Sequence, residues 1–425
     1  MERREFPQLG ETCYFEQLEN GLPIFVVSKP GYTKAHACLA VSYGGMHRCF
    51  ENGTRQETVA GIAHFLEHKM FEMPDGNALQ QFSAAGASVN AFTAADMTAY
   101  YFTCTDRFPE HLRMLLRFVS TPYFTAESVH KEQGIIAQEI GMDDDDPDWQ
   151  VYQNLLRGLY HCHPVRESIL GTVESIAQIT PDTLYTCHRA FYHPGNMVLC
   201  VVGDVDPHRV VSIARMVLPS EVVPTARKDY GPQEPAQAYQ HEASREMEVS
   251  APNFLLGFKA SPFYAGVDGL RQTMVGSLAG ELLCGRSSPL YAKLYTDGLI
   301  HKDFSVTCIC YPGAAFLVAG GESPDPRRVR KAVLQEGERL SQGIDEERFR
   351  RAVKHEYGAT VRSLNSFDSI CVQLSRWWFS GCHYFDFAAL YPTLTAAETA
   401  AFLGETVREA GSCLSMIQPK GANTL

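Results

Sequence analysis

No stretch of the chain approaches the roughly 18 consecutive apolar residues that span a bilayer, so a membrane helix is excluded. The N-terminus, Met1-Glu2-Arg3-Arg4-Glu5-Phe6-Pro7, lacks an apolar core followed by a small-residue cleavage site. It is therefore not expected to be a secretory signal. Positive charge is in deficit: 37 Lys and Arg stand against 49 Asp and Glu, a formal charge of −12. Without a global attraction for phosphate, nucleic acid is not an expected partner. Gly320-Gly321-Glu322 is not a phosphate loop, because no Gly-Lys-Ser/Thr follows it. The 13 cysteines are odd in number and scattered from Cys13 to Cys413, and only Cys308 and Cys310 lie close together. That is neither a disulfide framework nor a zinc-ribbon spacing. Buried free thiols in a reducing compartment, hence the cytoplasm, are the expectation.

What remains is the composition of an ordinary globular protein, 45% hydrophobic and 20% charged. A length of 425 residues implies two or more domains. Strands are expected over 23–28 and 35–43, the second ending at Gly44-Gly45, then a helix near 57–71. Strands follow at 87–94 and 98–105, helices near 107–120 and 125–141, and a buried strand at 197–203. Asp204-Val205-Asp206-Pro207 is a helix-start signal. The stretch 221–250 is rich in proline and charge with little periodicity, and reads as a linker. The second part begins again with a strand from Asn253 to Phe258 and a helix near 266–283. Strands at 303–311 and 314–321, helices near 326–341 and 345–363, and a last strand at 412–417 complete it. Two α+β domains with one element order are expected, 1–220 and 251–425, although their letters do not repeat. The run Asp143 to Asp146 reads as a solvated loop.

Chemistry concentrates at His64-Phe65-Leu66-Glu67-His68. Histidines four apart in a helix leave the same face, with Glu67 beside them. Val59, Ile62, Leu66 and Met70 on the other face can anchor the helix in a core. Zinc takes neutral imidazole nitrogens at about 2.0–2.1 Å and prefers four ligands, one of them water in a catalytic site. A carboxylate beside that water can accept its proton. HxxEH thus supplies two ligands and a base within two helical turns, the inverse of HExxH. A structural zinc site would have no use for Glu67. Further along, Glu132 and Glu139 fall on the apolar side of a helical pattern with Val129, Ile135, Ile136 and Ile140. A buried carboxylate needs a partner or a metal. One of the pair should bind the metal and the other should orient a ligand histidine.

These residues resemble the pitrilysin or insulinase family of inverted-motif zinc peptidases. The resemblance rests on Gly61-Ile62-Ala63-His64-Phe65-Leu66-Glu67-His68, on Asn90-Ala91-Phe92-Thr93, on Glu132 to Glu139, and on Phe191-Tyr192-His193-Pro194-Gly195-Asn196-Met197. It is closest to small bacterial processing-peptidase-like subunits, and among them to one partner of a pair associated with modification of a translation elongation factor. The resemblance implies two related LuxS/processing-peptidase-like α+β domains, each a mostly antiparallel sheet packed with helices. It implies Zn2+ held by His64, His68 and Glu139, with Glu132 behind a ligand and Glu67 as general base. Asn90 and Ala91 would lie on an edge strand that takes up the substrate peptide by β-addition.

The far half departs from the family pattern. Active members carry an Arg and a Tyr that steady the substrate carbonyl and the oxyanion. Here the matching segment reads Leu294-Tyr295-Thr296-Asp297-Gly298-Leu299-Ile300-His301, with Tyr295 at the arginine position and His301 at the tyrosine position. A metalloendopeptidase of short or unfolded peptides is therefore expected, completed by a related subunit in a heterodimer, or by a second copy in a homodimer. A non-catalytic assembly or regulatory subunit is the alternative. His161-Cys162-His163 reads as structural, and Trp377-Trp378-Phe379 as core packing or a subunit contact.

Overall fold

A computed structural model describes residues 1–262 and 265–421. The chain forms two units, each assembled from separate stretches. The first comprises Met1–Ile140, Ser168–Tyr230 and Val361–Phe385. The second comprises the described residues of Gly141–Glu167, Gly231–Thr360 and Asp386–Leu425.

Runs of β-branched and aromatic residues form the strands. Pro23–Ser28, Ala35–Val41 and Met197–Gly203 are buried almost throughout and occupy the middle of a seven-stranded sheet in the first unit. The lateral order is Glu2–Phe6, Glu11–Gln17, Pro23–Ser28, Met197–Gly203, Ala35–Val41, Thr98–Cys104 and Ser88–Thr93. Among its described strands, only Met197–Gly203 and Pro23–Ser28 run parallel. Helix Phe367–Phe379 covers Met197–Gly203 and Ala35–Val41. Its Trp378 ring lies 5.1 Å from Phe15 and 5.3 Å from Phe25, so this aromatic run packs within the unit.

The second unit holds a five-stranded sheet in the order Glu242–Met247, Ser412–Pro419, Asn253–Ala260, Ala314–Glu322 and Ser305–Tyr311. Its one parallel pair joins Glu242–Met247 to Ser412–Pro419. Numbered along the chain, its strands lie side by side in the same order as the five of the first sheet from Pro23–Ser28 to the edge strand Ser88–Thr93, and the parallel pair falls at the same place. The repeat expected from element order is thus a repeat of topology. Both sheets are α+β and mostly antiparallel. No described helix is long and apolar enough to cross a membrane.

Local differences from expectation have physical causes. The helix expected over 57–71 begins only at Ile62, and Thr54–Glu57 is a strand. Gly61 takes a left-handed conformation, φ 93°, and a Cβ there would lie 2.4 Å from the Leu170 carbonyl oxygen. Only glycine permits that entry into the helix. Asp143 to Asp145 do not form a loop but finish helix Ala126–Asp145. Asp146 then caps Pro147–Leu159, its side chain accepting from the Asp148 amide. A proline at the first helical position suits that start. Within 221–250, Arg227–Asp229 pairs with Cys49–Asn52, and Glu242–Met247 joins the second sheet.

Candidate metal centre

Helix Ile62–Met70 is held by Ile62, Phe65, Leu66 and Met70, all buried. Val59 lies before the helix and does not share in this. The opposite side presents His64 and His68, whose rings stand 4.5 Å apart. Helix Ala126–Asp145 brings Glu139 to them: its carboxylate oxygens lie 3.8 Å from His64 Nε2 and 3.8 Å from His68 Nε2. A tetrahedron with zinc–nitrogen bonds of 2.0–2.1 Å has edges of about 3.4 Å, so the spacing suits one small cation between the three groups. The three ligand atoms all fall within 4.8 Å of one another.

The protonation state of His64 fits the same purpose. Burial, with the neighbouring His68 adding to it, pushes the His64 imidazole down to about 3. It is therefore neutral at neutral pH, the form that binds metal. His64 Nδ1 is buried and has no hydrogen-bond partner among the described residues. Burial works to lower His68 as well. Its hydrogen bond to Glu132 and the charges of Glu67, Glu132 and Glu139 outweigh burial and raise it. His68 Nδ1 lies 2.9 Å from Glu132 Oε1. With the proton on Nδ1, Nε2 keeps its lone pair towards Glu139.

Glu132 is buried, but Glu139 is not: its side chain is 40% exposed. Ile135, expected beside it in an apolar stripe, is exposed as well, while Val129, Ile136 and Ile140 are buried. The buried stripe is narrower than the sequence pattern implied, and Glu139 sits at its margin.

Glu67 is buried on the metal-facing side. Burial raises its carboxyl, the Thr93 hydrogen bond and His68 oppose that, and Glu139 adds to it. Thr93 Oγ1 donates to Glu67 Oε2 over 2.7 Å. Sequence reasoning gave Thr93 no role. The signal was present in the alternation, which sets Thr93 on the same face of its strand as Ala91. Among the described residues, strand Ser88–Thr93 is the edge of the first sheet and pairs only with Thr98–Cys104. Asn90 is exposed, and its side-chain oxygen accepts from the Ala91 amide over 2.9 Å.

Tyr295 ends up on helix Pro289–Thr296, 54% exposed and stacked on Tyr291, and His301 is exposed beyond the helix. Both belong to the second unit. The second unit contains one other described group with ligand-like spacing, Glu281, His355 and Glu356. The His355 side chain is 63% exposed, and Glu281 already accepts from Ser287. At His161-Cys162-His163 the three backbone amides donate to one carboxylate, that of Glu234.

Comparison with known proteins agrees with this geometry. Residues 46–173 match the insulinase (peptidase family M16) model, and residues 178–355 match the model of the peptidase M16 inactive domain. An uncharacterized zinc protease of Bacillus subtilis, YmfH, is 37% identical over 423 residues, covering 98% of this chain and 99% of that protein. A crystal structure of an M16-like peptidase from Alicyclobacillus acidocaldarius is 34% identical, with a TM-score of 0.93 over 98% of this chain and 100% of that one. A protease from Helicobacter pylori shares the fold at a TM-score of 0.81 and 18% identity, over 96% of this chain and 99% of that one. The chain belongs to the insulinase family of peptidases, family M16.

Proposed function

We propose that this chain is a zinc-dependent endopeptidase subunit that cleaves short or unfolded peptides, together with a related subunit that supplies an Arg/Tyr pair. The observation that carries the reading is the convergence of His64, His68 and Glu139 with Glu67 beside them. The relatives named zinc proteases support zinc as the metal. Bound there, zinc supplies a Lewis acid that makes water a nucleophile at neutral pH. His64, His68 and Glu139 are the ligands, and Glu132 keeps His68 turned the right way. Glu67 takes the proton of the attacking water and returns it to the leaving amine. Burial raises its carboxyl and so makes it a stronger base than a free glutamate. The substrate adds as a strand along Asn90 and Ala91, and Asn90 must then release the Ala91 amide to the peptide. We assign the metal site to the first 220 residues, and we read 251–425 as the related domain without a metal motif. The cytoplasm suits its unpaired cysteines. A link to elongation factor modification rests on family resemblance alone.

The missing Arg and Tyr favour one further reading, a non-catalytic assembly subunit. Metal analysis joined to cleavage of a quenched peptide library decides between them. Glu67→Gln should keep its zinc and lose about 10²–10⁴ in turnover. Intact turnover in Glu67→Gln would refute the mechanism, and a protein that binds no zinc would refute the site.

A further inference from the structure

We propose that Thr93 is a positioning residue for the peptidase reaction: its hydroxyl fixes the carboxylate of Glu67 in the orientation that receives the water proton. The inference rests on the reading of Glu67 as general base. It begins with a count of protons. Three hydroxyl and carboxylate groups meet here, and each threonine hydroxyl has one proton to give. Thr98 Oγ1 spends its proton on the Tyr43 carbonyl oxygen, 2.8 Å away. Thr93 Oγ1 lies 3.3 Å from Thr98 Oγ1 and 2.7 Å from Glu67 Oε2. With Thr98 committed, the Thr93 proton goes to Glu67. The bond is short and its acceptor is a carboxylate, which puts it among the stronger hydrogen bonds.

Glu67 needs such a hold. Its helix fixes the Cα, but a glutamate keeps three free torsions beyond it. Thr93 ties one oxygen of the carboxylate to the sheet and leaves the other to the water. The anchor is rigid, because Thr98 is fully buried and Thr93 is paired with it across the hairpin. Position matters as well as strength. Thr93 follows Ala91 by two residues on the strand proposed to receive the substrate. One strand therefore registers the peptide at Asn90 and Ala91 and the base at Thr93. Scissile bond and base are measured from the same backbone.

The test compares T93V, which keeps the shape and removes the hydroxyl, with T93S, which keeps the hydroxyl, in the full chain with its partner. Crystal structures of both variants report the Glu67 carboxylate without any need for turnover. In T93V the carboxylate should leave its place beside His64 and His68, and in T93S it should stay. Where the assembly cleaves peptide, T93V should lose about ten- to a hundredfold in kcat. KM should stay within about threefold, since Asn90 and Ala91 are untouched. T93S should restore most of the rate. An unmoved carboxylate in T93V, or a T93V kcat within about threefold of the wild type, overturns the proposal. Failure of the peptidase reading looks different: a wild type without metal, or Glu67→Gln turning over normally, whatever position the carboxylate takes in T93V.

Discussion

On the proposed reading, Glu132 matters without touching the metal. It is buried, and its hydrogen bond to His68 Nδ1 sets both the ring orientation and the tautomer. Glu132→Ala should lower zinc affinity by about 10–100-fold, measured by chelator competition. A change within about threefold would show that His68 is held by packing alone. Gly61 has a comparable indirect role. Ala at φ 93° meets a left-handed penalty of about 1–2 kcal/mol, besides the contact with the Leu170 oxygen. Gly61→Ala should therefore lower the Tm and displace the first turn of the metal helix. The motif residues could be read from the sequence because a helix imposes its spacing on them. Alternation put Thr93 on the face of Ala91 but did not name its partner, since the bond to Glu67 joins residues 26 apart in the chain. The half-exposed state of Glu139 was hidden for another reason: a helical wheel gives angles, not what covers them.

At the scale of elements, the turn at 161–163 is fastened by Glu234. Burial works to raise the Glu234 carboxyl. The amides of His161, Cys162 and His163 and the Lys259 ammonium prevail and bring it to about 2. A carboxyl depressed on folding stabilises the fold above its unfolded pKa, about 4.3. That contribution disappears as pH falls through about 2. Glu234→Gln should therefore unfold at a lower Tm than wild type, by a constant margin from neutral pH down to about 5. Below about 4 the two curves should draw together. A margin that does not shrink in acid would mean that the turn depends on shape rather than charge. The segment expected as a linker is held here by Glu234 and on either side by the strands Arg227–Asp229 and Glu242–Met247. Prolines and charges concealed a carboxylate whose partners lie about 70 residues earlier and, in Lys259, 25 later. The central strands and several long helices were legible because their periodicity is local, but the strands Glu2–Phe6 and Glu11–Gln17 and the helices Pro147–Leu159 and Pro181–Phe191 were not read from the sequence.

The whole molecule contains one sheet topology twice, with the metal motif in the first copy only. In the second copy the segment matching the family's Arg/Tyr region offers Tyr295 and His301, both exposed. On the proposed reading, the chain carries ligands and base but no groups for the developing oxyanion, which leaves the active site incomplete. On that reading the donors are supplied by the proposed related subunit. The expected stoichiometry is one zinc per chain, abolished by His64→Ala with His68→Ala. Peptide cleavage should be weak in the isolated chain and rise by about 10²–10³ on mixing with a related subunit that carries the Arg/Tyr pair, the range for a restored oxyanion donor. Replacing that subunit's Arg and Tyr should remove the gain while leaving zinc content unchanged. Full activity in the isolated chain would instead direct attention to His301 in a second copy, tested by His301→Ala. Zinc without cleavage in either sample would favour the assembly role, since ligands alone bind metal but do not complete a site for catalysis.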